Sequence, residues 1–214
     1  VGENAIKMMT VGGGSSSLKV QKEILPLDGI KARLAKDGVE VAYQRGYVGD
    51  VGGEYNGVKT GQDLNETRSA EQLIDDACDA ARGADLVVFI GGLNKADHQD
   101  AEGTDRESFD LPYGQNKVVE ALAKANPRIV YVNISGNAAH LSFVKQVPAI
   151  VQAWFNGSEA GEAIASVLCG DANPSGKLPM TWNDNLDDYG AHALNTYPGT
   201  WRDDKKEIID EVYE

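Results

Sequence analysis

Cysteine, histidine and proline are scarce in this chain, and positive charge is outnumbered. Its 214 residues hold two cysteines, three histidines and seven prolines. Two cysteines, Cys78 and Cys169, lie too far apart in sequence to suggest a metal site or a disulfide framework, and they read as small core residues. Free thiols suit a reducing compartment, and a periplasmic or secreted protein with buried thiols is also compatible. The first residue is Val1 rather than Met, so targeting information is missing rather than negative. Lys and Arg number 20 against 33 Asp and Glu, a formal net charge of −13. Phosphate binding needs clustered cations, so this balance argues against a nucleic-acid partner and against docking on anionic lipid. A neutral or cationic small ligand suits it, and a polyanion does not. There is no apolar run of 18 residues, so no segment reads as a membrane-spanning helix.

What is present is enough for one large domain or two small ones, with 42% hydrophobic residues available for a core. Leu25 to Lys36 places Leu27, Ile30 and Leu34 at helical spacing, and Asp37-Gly38 stops the helix. Val39 to Tyr43 alternates as a strand. Arg45 to Thr67 is rich in glycine and polar residues and reads as a long loop. Ser69-Ala70-Glu71-Gln72 has the pattern of a helix cap, for a helix ending near Arg82. Leu86 to Ile90 is an apolar strand leading into Gly91-Gly92. Pro112 is expected to open a helix to about Ala125, with Asp110 as its cap. Arg128–Ile134 and Ala149–Trp154 read as strands, and Ser158–Glu162 as the start of a helix ending at Gly170. Helices alternating with short apolar strands predict an α/β fold: a mostly parallel sheet flanked by helices on both faces, a flavodoxin-like α/β sandwich.

Two glycine groups invite a phosphate-loop reading and fail it. Gly12-Gly13-Gly14-Ser15-Ser16-Ser17 has no Lys-Ser/Thr behind it, and Gly91-Gly92 lacks the dinucleotide spacing and precedes an acidic loop. Both are expected to let backbone pass close to a ligand or a neighbouring domain. No cofactor is implied. The acidic loop is the main candidate for chemistry. Between Asp97 and Glu107 it carries five carboxylates, namely Asp97, Asp100, Glu102, Asp105 and Glu107, with Lys95 and Arg106 to offset them. A loop delivered by a strand to the end of an α/β sheet is where such folds place ligands. Crowded like charges raise one another's pKa, which is one way to make a general acid at neutral pH.

Several stretches in order resemble the C-terminal α/β-sandwich domain of glycoside hydrolase family 3, the β-glucosidases and β-xylosidases. They are Glu102-Gly-Thr-Asp-Arg106, Asp110-Leu-Pro112 with Gln115, Trp154-Phe-Asn-Gly157-Ser-Glu159-Ala-Gly161-Glu-Ala163, and Leu168 to Thr181. The Gly12–Ser17 run is similar to a loop that faces the active site in that family, and Tyr197-Pro198-Gly199 resembles a late segment of it. The resemblance implies an active site shared between two domains. A barrel domain carries an Asp nucleophile and the α/β domain supplies the acid/base Glu. Residues 1–214 then correspond to the second domain alone, with the barrel of the same polypeptide as its partner and a β-glucoside or β-xyloside as substrate. Family members usually continue beyond the point matching Glu214, into a further strand and often a fibronectin-like module. Glu102 matches the acid/base position, and Asp97, Asp100 and Glu107 are alternatives on the same loop. Asp105 and Arg106 are expected to pair with each other or with nearby backbone and fix the loop. His98 could touch a sugar hydroxyl or tune Glu102. Trp154 and Phe155 could stack on a sugar or pack in the core. Glu159 and Gly161 read as architectural, a helix-start acid and a close-packing glycine. His140, His192, Trp182 and Trp201 have no partner legible in the sequence. The isolated fragment is expected to have little turnover. A second reading is a non-catalytic domain whose acidic loop binds an amine or a calcium ion.

Overall fold

The computed structural model describes residues 1–51, 54–55, 58–196, 201–202 and 207–208, with side chains for 1–51 and 60–196. Helix α1 spans Pro26–Leu34, and a two-residue hairpin follows from β1 (Glu54–Tyr55) to β2 (Val58–Lys59). Next come α2 (Ala70–Gly83), β3 (Val87–Gly92), α3 (Gln115–Ala125), β4 (Ile129–Ile134) and β5 (Ala149–Gln152). Helices α4 (Ala160–Leu168) and α5 (Gly190–Ala193) precede a short antiparallel pair, β6 (Trp201–Arg202) and β7 (Glu207–Ile208). Among the described residues no helix is long and apolar enough to cross a membrane.

Strands β3, β4 and β5 form a parallel sheet in that order, with Val87 opposite Ile129 and Val130 opposite Ala149. Alternation along each strand sends side chains to two separate cores. Val87 and Phe89, with Ile129 and Tyr131, face α2 and α3, meeting Ala77, Cys78, Val118, Val119 and Leu122. Ile90, Val132 and Ile134 face the other way, onto Ile30 of α1 and Ile164 and Ala165 of α4. Helices therefore cover both faces, as the alternation of elements predicts. Phe89, Tyr131 and Leu122 are fully buried, each contributing about 1.5–3 kcal/mol of apolar burial.

The second core closes because two glycines let α1 and α4 touch. A Cβ on Gly161 would lie 2.3 Å from the Leu25 carbonyl oxygen, and one on Gly29 would lie 2.1 Å from the Gly161 oxygen. The same approach lets the Gly161 N–H donate to the Ile24 carbonyl at 2.9 Å. The helix α2 cap is formed as read: Ser69 Oγ accepts from Gln72 N, and the Gln72 side chain accepts from Ser69 N.

Three expectations need correction. Val39–Tyr43 forms no strand: the segment is tied toward Val1 by the Tyr43 hydroxyl, which donates to the Gly2 carbonyl at 3.2 Å, and by a 3.3 Å bond from Gly2 N–H to the Gln44 carbonyl, while Val1 itself pairs with β3 through Val88 and Ile90. Pro112 opens a 3-10 turn, Pro112–Gly114, instead of the α-helix. Tyr113 and Gly114 both take positive φ, 60° and 69°, so helical geometry starts only at Gln115. Asp110 is not a cap. Its carboxylate bonds His140 Nδ1 at 2.8 Å, and Leu111 stands where the turn begins.

Candidate active site

Three stretches meet at the carboxyl-terminal end of the sheet: the segment leaving β3, the segment leaving β4, and the glycine–serine run near the start of the chain. Gln115 ends the first strand. Its Oε1 accepts from Gly92 N–H and its Nε2 donates to Gly92 O, both at 2.8 Å, so one side-chain amide replaces a neighbouring strand. Gly91 has no Cβ because that atom would lie 2.3 Å from Gln115 Oε1.

The root of the acidic loop is bound on two sides. Asn94 N–H donates to Gln99 Oε1 at 2.9 Å, and Asp100 N–H donates to the Asn94 carbonyl at 3.0 Å. Gln99 Nε2 donates to Tyr113 Oη at 2.5 Å, and that hydroxyl donates to Asp50 Oδ2 at 2.6 Å. Burial, with Asp50 beside it, pushes the Tyr113 phenol above its ordinary value. On the other side the Asp100 carboxylate accepts from Gly136 N–H at 2.6 Å and from Asn137 Nδ2 at 2.7 Å. Asp100 is thus committed to a strut across the sheet.

Glu102 stands exposed two residues further on. Its Oε2 accepts from Ser15 N–H at 2.7 Å, and its own N–H donates to the Gly13 carbonyl at 3.2 Å. Gly12, Gly13 and Gly14 take φ of 85°, 77° and 81°, a run that only glycine sustains without strain. Gly14 has a second reason to be glycine: a Cβ there would lie 2.5 Å from Glu102 Cβ and 2.6 Å from Oε2. The backbone of the glycine run does pass close to another group, and that group is Glu102. The Ser15 N–H first, and its hydroxyl second, hold the Glu102 carboxyl below the usual carboxylate range. The expected upward shift from crowding is not what this carboxylate experiences. Asp100 is turned to Gly136 and Asn137 and Glu102 to the glycine turn, so the loop's acids are spread apart.

Lys95 fastens this turn from the other side. It is 8% exposed, its Nζ reaches Ser16 O at 3.3 Å and Ser16 Oγ at 3.4 Å, and it sits 5.5 Å from the Phe155 ring centroid. Burial pulls its ammonium below the ordinary lysine value.

Asp105 and Arg106 do not pair with each other among the described residues. Arg106 instead crosses to the segment after β4, where Nη2 donates to the Ala138 carbonyl at 2.7 Å, and it lies 5.8 Å from the Phe109 ring. Of the two expected roles it takes the backbone one. Its Nη1 is buried without a hydrogen-bond partner among the described residues. The Asp105 carbonyl faces His98 Nδ1 at 3.1 Å, while His98 N–H donates to Thr104 Oγ1 at 2.9 Å. His98, with φ of 59°, therefore closes the loop on itself. A cavity of about 870 Å³ opens beside the loop, walled by Lys95, Asp100, Arg106, Phe109, Phe155 and His192 among others. Asp105 and Glu107 also line it, and so do Ala101, Thr104 and Ser16. Glu102, between Ala101 and Thr104, has its carboxylate turned aside onto Ser15. Phe155 faces this space; Trp154, its φ at 58°, is not part of the wall. Trp182 is a structural residue, donating Nε1–H to the Ala139 carbonyl at 2.8 Å. Tyr197–Gly199 and the Trp201 side chain lie outside the described residues.

The family profile for the glycosyl hydrolase family 3 C-terminal domain matches residues 1–214. The chain belongs to glycosyl hydrolase family 3. This family 3 domain is 46% identical over 212 residues to beta-glucosidase BoGH3A of Bacteroides ovatus, covering 98% of the chain and 27% of that protein. It is 38% identical over 150 residues to a beta-glucosidase of Kluyveromyces marxianus, covering 70% of the chain and 18% of the relative. Among solved structures, a GH3 beta-glucosidase of Bifidobacterium adolescentis matches with a TM-score of 0.67 and 30% identity over 87% of the chain and 24% of that structure. The Kluyveromyces marxianus enzyme in complex with glucose matches with a TM-score of 0.76 over 89% of the chain and 39% of that structure. At 22% identity it supports the fold alone. By sequence match the family 3 domain thus spans about a quarter of the length of its Bacteroides relative and 18% of the Kluyveromyces one.

Sequence reasoning did not reach the Ser15 amide, the Asp50–Tyr113–Gln99 chain or the Lys95 contact with Ser16. Two signals pointed toward them. Three consecutive glycines call for a tight positive-φ turn, and Lys95 is the only Lys or Arg between Arg82 and Arg106.

Proposed function

We propose that this domain supplies the acid/base carboxylate, Glu102, to a retaining exo-acting β-glycosidase, most simply a β-glucosidase. The nucleophile of that enzyme lies on a barrel domain elsewhere in the same polypeptide. The observation that carries this reading is the placement of Glu102. It rides at the tip of a doubly braced loop at the carboxyl end of β3, between two residues that line an 870 Å³ cavity. Retaining chemistry needs two carboxyl groups roughly 5–5.5 Å apart. Asp100 accepts from both Gly136 and Asn137, whereas Glu102 is exposed and its carboxylate accepts from Ser15 N–H, which favours Glu102 as the donor. In the reaction, Glu102 protonates the departing glycosidic oxygen and later removes a proton from the water that releases the sugar. The names of the matched relatives, all beta-glucosidases among those given above, support the sugar class.

Of the second reading, a non-catalytic loop that binds an amine or a calcium ion, the calcium part gains no support from the described residues. Among the described residues no three His, Cys, Asp or Glu side chains are placed to hold an ion.

Two assays test the reading. In the full-length enzyme, Glu102→Ala should lower kcat on poor-leaving-group glucosides by about 10²–10⁴-fold. Activated aryl glucosides should lose less, and azide should restore part of the rate. An unchanged rate removes Glu102 from the mechanism. Separately, vigorous hydrolysis of an aryl β-glucoside by the isolated 214 residues would contradict a nucleophile on another domain.

A further inference from the structure

We propose that the Gly13–Ser16 turn, fastened by Lys95, is a built-in rest for Glu102 that sets the pH range over which it can act as an acid. The inference deepens the acid/base reading and rests on it. Two contacts make the rest: Ser15 N–H to Glu102 Oε2 at 2.7 Å, and Glu102 N–H to Gly13 O at 3.2 Å. The second fixes the residue's backbone whatever its charge. In the first, Ser15 N–H donates to the carboxyl oxygen, and because that bond is stronger to a charged oxygen than to a neutral one it favours the ionised carboxylate over the protonated one. Gly14 leaves room for the carboxylate and for nothing else, since a Cβ would lie 2.6 Å from Oε2.

The turn lies on the rim of the cavity, because Ser16 lines it together with Ala101 and Thr104 on either side of Glu102. A rotation of the Glu102 side chain off Ser15 carries the carboxyl toward that space. Leaving the rest gives up a hydrogen bond to the charged form and so favours uptake of a proton. Returning as the carboxylate after protonating the leaving group regains it. Proton balance is closed within the cycle: the proton given to the glycosidic oxygen is replaced by the one taken from the attacking water. The consequence for the free enzyme is that the rest competes with protonation, and the alkaline limb of kcat/KM is drawn toward acid.

The charged groups around this contact have other commitments. Lys95, on the segment after β3, is bonded to Ser16 and draws on Glu23, whose carboxylate accepts from Met9 and Thr10 N–H. On the loop itself Asp100 is bonded to Gly136 and Asn137, His98 to Thr104 and Asp105 backbone or hydroxyl groups, and Arg106 to Ala138. Asp97, Asp105 and Glu107 share the loop and add negative charge, which opposes the rest instead of producing its effect. Lys95 is thus a positioning residue that acts through Ser16 and Ser15.

The test compares pH profiles of kcat/KM for the full-length enzyme on an aryl β-glucoside. Ser15→Ala keeps the N–H and removes the hydroxyl, whereas Ser15→Pro removes both. The alkaline limb of Ser15→Pro should lie at least about half a pH unit above that of Ser15→Ala, as expected for loss of a hydrogen bond to a carboxylate. Gly14→Ala, whose methyl group crowds the carboxylate off Ser15 and strains the positive-φ turn but keeps the Ser15 N–H, should shift the limb the same way and covers the case in which the proline variant fails to fold. Lys95→Met should give a smaller shift of the same sign. Superimposable profiles for Ser15→Ala, Ser15→Pro and Gly14→Ala overturn the inference. Glu102→Gln, run alongside, separates the two ideas. If it loses activity with azide rescue while the profiles superimpose, the rest is wrong and the acid/base reading stands. If it keeps full activity, the acid/base reading falls and the inference falls with it.

Discussion

Glu3 is a carboxylate 1% exposed, and three donors converge on it. Lys7 Nζ lies 3.0 Å from Oε1, while Arg45 Nη2 and Gly49 N–H each lie 2.7 Å from Oε2. Lys7 and Arg45 are themselves 1% and 6% exposed, so neither can turn to water if the carboxylate is lost. Glu3→Ala should therefore destabilise the fold by about 3–5 kcal/mol, because removing one partner strands buried charge. Replacing Glu3, Lys7 and Arg45 together with apolar residues of similar size should cost less than Glu3→Ala alone. Urea unfolding of the three proteins checks both orderings. This cluster was invisible in the sequence for a plain reason. Lys7 is one helical turn from Glu3, but Arg45 and Gly49 arrive from more than forty positions away, and no local pattern announces them. The same holds for Asp110 and His140. Asp110 precedes a proline and has the look of a cap, yet its partner comes from the far side of β4. Glu102 could be singled out as a candidate because it belongs to a continuous motif. Its grip on Ser15, 87 positions earlier, was not.

Helices α1 and α4 illustrate what an element contributes beyond its own residues. Gly161 costs α4 about 1 kcal/mol of helix propensity against alanine. It stays glycine because the Leu25 carbonyl is where a methyl group would go, 2.3 Å from the built Cβ. Gly161→Ala should thus destabilise by about 1–3 kcal/mol despite the better helix former, read as a lower melting temperature. A rise in melting temperature would mean that the two helices separate at little cost. At this scale the sequence was a good guide where chemistry is local. Ser69 and Gln72 form the capping box their spacing describes, and the close-packing role of Gly161 follows from a small residue at a helix start. It misled where tertiary partners decide. Val39–Tyr43 alternates like a strand but has no ladder partner among the described residues, and Pro112 meets Tyr113 in a left-handed conformation that no propensity scale anticipates.

For the molecule as a whole, the surplus of acid over base is managed by pairing at the surface. Glu66 accepts from Arg68 Nη2 at 2.7 Å, from Arg68 N–H at 3.0 Å and from Thr67 N–H at 2.9 Å, and these contacts bring its carboxyl from 4.5 down to about 2. The Arg33 guanidinium beside Asp171 lowers that carboxyl, and Glu71 is lowered by its own N–H and by Ser69. A carboxyl whose folded pKa is depressed adds stability that is present above the unfolded value and lost as pH falls through the folded one. The domain should hold its melting temperature above about pH 4.5 and lose it progressively toward pH 2. Glu66→Gln should flatten that decline. A melting temperature independent of pH over this window would show that these contacts do not persist in solution. The general architecture was open to reading at this scale, because alternation of apolar strands with helices leaves few ways to cover a parallel sheet. The ordered motifs then named the family before any coordinate was needed. Which carboxylate faces which wall was not open to reading, since that depends on three loops meeting in space.

The Gln115 amide that closes off Gly92 has a consequence for how this region can change over evolutionary time. Because a side chain from α3 satisfies the last peptide of β3, the end of the strand does not depend on the exposed tip of the loop that follows it. New side chains at exposed loop positions such as Asp105 and Glu107 should leave the sheet intact, whereas Leu93, Asn94 and Leu111 are buried and stay tied to it. The scaffold can be inherited unaltered while the exposed part of the loop beyond β3 is rewritten from one lineage to the next.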